Sequence, residues 1–230
     1  MYVTIRFMIV SLKSRQEIAK GFLLIEFDTQ GQIVNFVAGQ FFNLTLIDPP
    51  YNDERGDKRI FGFTNTPGST KIQMIMKSGV SAFKKVLQEM PIGTQVKIDG
   101  IDGRIDLPQD LNQPVVFIAG GIGIAPIMSM LRSIKEKSLT YKISLIYSNE
   151  NKESTPFFDE LELYATENSN FKFIPIIAID NQLIQSNFPN LNENIYFVKG
   201  DQQFVISTIK ILKTLGIEAN KISLEIFTGY

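Results

Sequence analysis

The chain has 230 residues, enough for one large domain or two of ordinary size, with 23 basic and 24 acidic side chains and a net charge of −1. It contains no cysteine and no histidine, which excludes disulfides, cysteine-ligated zinc or iron–sulfur clusters, a histidine-based triad and histidine-bound metal or haem within these residues. With those groups gone, a borrowed cofactor is the better vehicle for chemistry. With no basic run, neither nucleic acid nor an anionic membrane is an expected partner.

The front half reads as strands. The opening MYVTIRFMIV alternates Val3, Ile5, Phe7 and Ile9, predicting a strand over 2–10 rather than a signal peptide. No apolar run approaches the ~20 residues of a membrane span, and a cytoplasmic location is the expectation. Further strands are predicted at 22–27, 41–47, 71–76 and 95–98. The turn-rich stretches TQGQ (29–32), DPPYNDERGD (48–57), TPGS (66–69) and PIG (91–93) separate them. One helix interrupts: SAFKKVLQEM places Phe83, Val86, Leu87 and Met90 on one face, and Pro91 with Gly93 ends it. Strands and turns at this spacing predict a small antiparallel barrel or sandwich.

The pattern changes at LPQDLNQP (107–114), a polar segment bracketed by prolines, which divides the chain into 1–110 and 111–230. Beyond it, strands are predicted at 115–119, 142–147, 171–178, 195–198 and 222–227, and helices at 126–137, near 156–166 and at 202–215. Such alternation predicts a parallel sheet with helices on its faces.

The first strand of this half runs into Gly120-Gly121-Ile122-Gly123-Ile124-Ala125-Pro126. A strand-to-helix turn of a parallel sheet lies at the carboxyl edge, where ligands bind. Glycines there allow close backbone approach, and the helix start offers unpaired N–H groups to a phosphate. Pro126 suits a first helical turn because its missing N–H has no partner to lose. The run is not G-x-G-x-x-G, and no Lys-Ser/Thr follows to make a P-loop. A tight turn with close helix–strand packing is the plainer alternative.

In order along the chain, AGQFF (38–42), RIFGFTN (59–65), KSGVSAFKKVLQEMPIGTQVKIDGIDGRIDL (77–107), the glycine turn and the ending LEIFTGY (224–230) resemble the ferredoxin–NADP reductase family of flavoenzymes. The resemblance implies an antiparallel Greek-key β-barrel flavin domain followed by a Rossmann-like parallel-sheet nucleotide domain. It implies FAD and NAD(P)H as cofactors. Arg59 would grip the FAD pyrophosphate, forking onto phosphate oxygens. Phe61 would lie along the flavin ring, with Phe63, Thr64 and Asn65 near its edge. Gly79, Val80 and Ser81 would hold FAD phosphates at a helix start, with Lys77 adding charge or lying in solvent; plain N-capping by Ser81 or Ser78 is the alternative, and both roles can coexist. Gly120, Gly121, Gly123, Ile124, Ala125 and Pro126 would receive the nicotinamide dinucleotide, and Gly200 and Asp201 would flank its ring. Glu225 and Phe227 match the acidic and stacking aromatic residues of the family terminus, with Tyr230 as an alternative stacking residue.

Three positions, in two stretches, depart from the family pattern. Gly62 stands where the family has Ser or Thr beside flavin N5, and Lys199 and Asp201 replace the Cys and Pro of the C-G-P loop. Gly62, Glu225 and Phe227 are therefore the residues expected nearest the chemistry. Asn149 occupies the place of an arginine in NADP-dependent relatives, and Glu150 and Glu153 flank Lys152; this favours NADH over NADPH. The expected activity is electron transfer from NAD(P)H through FAD to a separate acceptor, either a ferredoxin, a flavodoxin, an oxygenase component or a small molecule. Lys84 and Lys85 would face either an acidic partner or solvent. A flavin- or nucleotide-binding sensor or regulatory subunit without turnover is the alternative that Gly62 and Lys199 motivate.

Overall fold

The computed structural model describes residues 7–103 and 107–227. The chain divides into two compact units, Met1–Ile105 with Ala125–Ser133, and Asp106–Ile124 with Ile134–Tyr230.

The front unit carries β1 (Phe7–Ala19), β2 (Phe22–Asp28), β3 (Phe41–Leu46), β4 (Lys58–Gly62), β5 (Lys71–Lys77), α1 (Ala82–Glu89) and β6 (Gln95–Asp102). Its strands lie in the order β4-β3-β6-β1-β2-β5, every pair antiparallel. Just past β4, the Thr64 N–H donates to the Gln73 carbonyl of β5 at 2.9 Å, so the two edge strands meet and the sheet curls into the expected barrel. Alternate residues point inward, and Val10, Leu12, Ile25, Phe27, Phe42, Leu44, Ile72 and Met74 fill the interior. Phe83, Val86 and Leu87 of α1 complete it, on the stripe predicted from helical spacing.

Three front strands differ from the sequence expectation, and β6 runs on to Asp102 from the predicted 95–98. β1 extends through the polar run Lys13–Glu17 to Ala19, and its residues 2–6 lie outside the described residues. It can continue because β6 pairs with its first part and β2 with the rest, with register shifts after Leu12 and Glu17. β4 was not predicted as a strand because its inward positions are Arg59 and Phe61, while Lys58 and Ile60 face out. A buried arginine breaks the apolar alternation that marks a strand.

The rear unit follows the predicted alternation: β7 (Val115–Gly120), α2 (Ile124–Glu136), β8 (Ile143–Ser148), α3 (Phe158–Glu167), β9 (Phe171–Ile176), α4 (Asn181–Asn187), β10 (Ile195–Gly200), α5 (Gln202–Thr214) and β11 (Ile222–Ile226). The strands are parallel in the order β11-β10-β7-β8-β9. Val115–Ala119 is buried throughout, as a central strand covered on both faces requires. From β7 the chain proceeds outward through β8 and β9, then returns to the other side of β7 for β10 and β11. The order therefore reverses between β7 and β10, at their carboxyl ends.

The helix after the glycine turn starts at Ile124, two residues earlier than predicted, because Gly121–Gly123 forms one 3₁₀ turn that leads directly into it. Pro126 is its third residue, still among the first four positions whose N–H has no intrahelical partner. Residues 125–133 of α2 are grouped with the front unit. There the Ser129 hydroxyl donates to the Asn65 carbonyl at 2.7 Å, and Arg132 Nη1 donates to the Thr64 carbonyl at 2.8 Å. The short α4 was not anticipated: seven residues hold too little periodicity, although Asp180 caps it through the Leu183 N–H. Among the described residues, no helix is long and apolar enough to cross a membrane.

Candidate functional site

In the front unit, four cations and a helix start converge. Arg59 and Phe61 share the inner side of β4, as residues two apart on a strand must. The Arg59 guanidinium lies over the Phe83 ring at 5.0 Å, and Phe61 stacks against the same ring at 6.0 Å. Arg59 is buried; its Nη1 donates to the carbonyls of Arg55, Gly56 and Lys58 at 2.8, 3.0 and 2.7 Å, fixing the charged loop before β4. Nη2 faces the Asp53 carboxylate at 3.6 Å. Asp53 also accepts the N–H of Ala82, the first residue of α1, at 3.0 Å and that of Arg55 at 3.0 Å. Desolvation works against ionisation there, but those N–H groups and the charges of Arg55 and Arg59 hold the Asp53 carboxyl below the usual carboxylate range. Lys84 turns back toward Gly79. Burial, then the like charges of Lys77, Arg55 and Arg59, pull its ammonium below the usual lysine range.

Lys84 thus lies among like charges near the start of α1, where an anion would be favoured. The Ser81 side chain makes no capping bond, and its buried Oγ has no hydrogen-bond partner among the described residues. Ser81 is therefore not the plain N-cap that its position suggested. The loop Lys77–Ser81 is otherwise open: Val80 is 85% exposed, and the Gly79 carbonyl accepts from Gln88 Nε2.

Phe63, Thr64 and Asn65 are turned to structural work. The Phe63 ring is fully buried, stacked on Phe36 at 3.9 Å. The Asn65 side chain accepts from the Gln73 N–H and donates to the carbonyls of Thr66 and Lys71. Thr64 is buried, and its Oγ1 has no hydrogen-bond partner among the described residues.

In the rear unit, the glycines at the end of β7 serve different ends. A Cβ on Gly120 would fall 2.7 Å from the Phe204 ring, and one on Gly123 would fall 2.2 Å from the Lys199 carbonyl oxygen. These two are glycine because other groups press against them. Gly121 adopts φ +50° with open space around it, and it is the residue of the turn left free to meet a ligand. The Tyr147 hydroxyl donates to its carbonyl at 3.0 Å. Burial pushes the Tyr147 phenol well above its usual range, so that donor stays protonated. Asn149 follows β8, beside the Tyr147 hydroxyl. Ile124 and Ala125 are buried in the first turn of α2.

Across the reversal point, the β10 end carries Lys199 and Gly200. Asp201 caps α5 by accepting the Phe204 N–H at 2.8 Å, so its carboxylate has a local task in place of proline. Lys199 is 3% exposed and donates to Glu225 Oε2 of the neighbouring strand. Phe227 is buried, and its N–H donates to the Gly200 carbonyl at 2.8 Å; Tyr230 lies outside the described residues. Asp53, Arg55, Tyr147 and Phe204 were not singled out from sequence, and Lys84, expected to face an acidic partner or solvent, is instead partly buried against Gly79. A local signal existed only for Phe204, which ends the G-x-x-x-F run after β10.

Residues 117–190 match the family model described as the oxidoreductase NAD-binding domain. Flavohemoprotein A of Dictyostelium discoideum is 24% identical over 217 residues, covering 85% of this chain and 53% of that protein. The reductase component of propane 2-monooxygenase from Gordonia sp. (strain TY-5) is 28% identical over 148 residues, covering 63% of this chain and 41% of that protein. The chain thus spans about half the length of the curated relatives it matches. Among solved structures, the ferredoxin–NADP⁺ reductase of Plasmodium falciparum superposes with a TM-score of 0.81 at 17% identity, covering 99% of this chain and 98% of that one.

The glycine at position 62 has a packing cause. A Cβ there would lie 2.8 Å from Pro126 Cδ and 3.2 Å from the Pro126 nitrogen, because the first turn of α2 presses on the end of β4. The proline ring and backbone cannot swing away as a flexible side chain does. Gly62→Ser is expected to lower unfolding free energy by ~1–3 kcal/mol, the usual range for overpacking. Urea denaturation of the two proteins measures this; equal stability would show that α2 yields freely.

Proposed function

We propose that the chain is a member of the ferredoxin–NADP reductase-like family and an NAD(P)H-dependent flavin oxidoreductase that holds FAD on the front unit and the nicotinamide dinucleotide at the carboxyl edge of the rear sheet. The observation that carries the flavin half is the placement of Arg59 and Arg55 beside the Asp53 carboxylate at the start of α1, with Lys84 in the field of Lys77, Arg55 and Arg59. Arg59, the Ala82 N–H and the buried Ser81 hydroxyl fit a pyrophosphate: a forked cation, a helix-start donor and a hydroxyl awaiting a partner. For the dinucleotide, the support is the strand–glycine–helix turn at the reversal of strand order together with the match over residues 117–190.

In this reading, bound FAD supplies hydride acceptance from nicotinamide and onward release of electrons. The chain's own residues bind and orient. Arg59 and the α1 start hold phosphate once Asp53 releases them. Tyr147 pins the Gly121 carbonyl and keeps the turn's conformation set for a ligand. With no cysteine or histidine in the chain, the electron acceptor is a group outside these residues; an oxygenase component, a ferredoxin or a small molecule fits, in a cytoplasmic setting. NADH is the preferred donor. Lys152, the cation of the loop after β8, is engaged by Glu162 at 3.5 Å and Asp159 at 3.7 Å and lies 4.2 Å over the Phe158 ring. It is thereby drawn away from a 2′-phosphate, while Glu150 and Glu153 remain exposed beside the loop.

Mixing the FAD-reconstituted protein with NADH in the absence of air tests the proposal. Bleaching of the flavin absorbance within seconds is expected; lasting colour would instead indicate a binding module without turnover. Arg59→Lys keeps the charge but loses the fork, so FAD affinity is expected to fall about tenfold or more. Asp53→Asn removes a carboxylate that competes with phosphate, and FAD is expected to bind several-fold more tightly. Titration of FAD fluorescence reads both, and a weaker complex with Asp53→Asn would sink the assignment of the cradle. A kcat/KM for NADPH equal to or above that for NADH would overturn the reading of the loop after β8.

A further inference from the structure

The rear unit contains a buried ion pair that the proposed binding of dinucleotide does not use. Lys199 and Glu225 are register partners on the adjacent parallel strands β10 and β11. The Lys199 side chain is 4% exposed and the Glu225 side chain 21% exposed. Burial pulls the Lys199 ammonium below its usual range, and Glu225 opposes that pull. A lysine this buried persists only with a close counter-charge. The pair stands one residue before the end of β10, and its lysine carbonyl is the group against which Gly123 packs.

Its position defines what it can act on. In open parallel sheets a dinucleotide crosses the point where strand order reverses, its pyrophosphate at the first glycine turn and its adenosine ribose at the end of the second strand. Here the reversal lies between β7 and β10, the glycine turn follows β7, and the second strand is β8. The opposite end of the dinucleotide, the redox ring, is then directed toward β10 and β11. That ring is cationic when oxidised and uncharged when reduced. A lone carboxylate at Glu225 favours the oxidised form, and a lone ammonium at Lys199 disfavours it.

We propose that Lys199 and Glu225 form a charge-balanced pair that sets the relative affinity for oxidised and reduced nicotinamide, with Lys199 a positioning residue that neutralises and orients the Glu225 carboxylate. The inference rests on the proposed binding of nicotinamide dinucleotide at this sheet edge. With the pair balanced, the ring's positive charge gains little, and the oxidised product leaves without a bias that would hold it in place.

The test compares binding of NAD⁺ with that of tetrahydronicotinamide adenine dinucleotide, whose ring is uncharged and donates no hydride, using calorimetry on the FAD-loaded chain. Lys199→Met matches the buried stem and removes the charge. It is expected to shift the affinity ratio about tenfold toward NAD⁺. Glu225→Gln leaves the ammonium unbalanced and is expected to shift the ratio the other way. The double variant is expected to return it near the starting value, as coupled sites should. A purely structural role would weaken both ligands together and leave the ratio unmoved in all three variants, and that result would overturn the inference while dinucleotide binding stands. If the unaltered chain binds neither ligand, the proposed function fails with it.

Discussion

Backbone meets backbone at the carboxyl edge of the rear sheet, and the candidate dinucleotide site is arranged around that contact. A Cβ at position 123 would lie 2.2 Å from the Lys199 carbonyl oxygen and 2.8 Å from the Gly200 nitrogen; no rotamer change relieves a clash with main chain. The absence of that one carbon lets the turn after β7 rest on the end of β10. It thereby closes the reversal point of the sheet, with Gly121 half-buried beside open space. Phe204 seats itself against Gly120 and Gly200, where a Cβ would come within 2.7 and 2.6 Å of its ring. The same constraint recurs in the front unit, where Pro126 presses on Gly62. Glycine here serves packing first, and the ligand-facing turn is a consequence of it.

Charge follows a parallel logic in the two units. Each contains a cation taken out of water and a carboxylate that answers it: Arg59 with Asp53, and Lys199 with Glu225. The surroundings separate their roles. Beside Asp53, Arg55 adds a second positive charge to that of Arg59, and Lys84 lies in the field of Lys77, Arg55 and Arg59. Around Lys199 the pairing is one to one on neighbouring strands, so the pair is self-contained and presents little net charge.

Most of the architecture was legible in the chain. Period-two alternation marked the barrel strands, helical spacing marked α1 and α5, and the continuous apolar run of β7 before three glycines marked the nucleotide edge. The strand β4 was hidden because Arg59, an inward residue, is charged; α4 was hidden because seven residues carry little periodicity. The motif positions Arg59, Gly79, Ser81 and Gly121 could be read from short patterns. Asp53, Arg55 and Lys84 could not, since each meets the cradle through the folding of a loop or the direction of a flexible side chain.

The sequence by itself determined the succession of most elements and the change from antiparallel strands to alternating strands and helices. These are local properties, set by neighbours within a few turns of chain. Tertiary structure decided which glycines press against a neighbour, and that Lys199 is buried against Glu225. Lys199 and Glu225 are 26 residues apart in the chain and Gly62 and Pro126 farther still, and no local pattern encodes a distance across the fold.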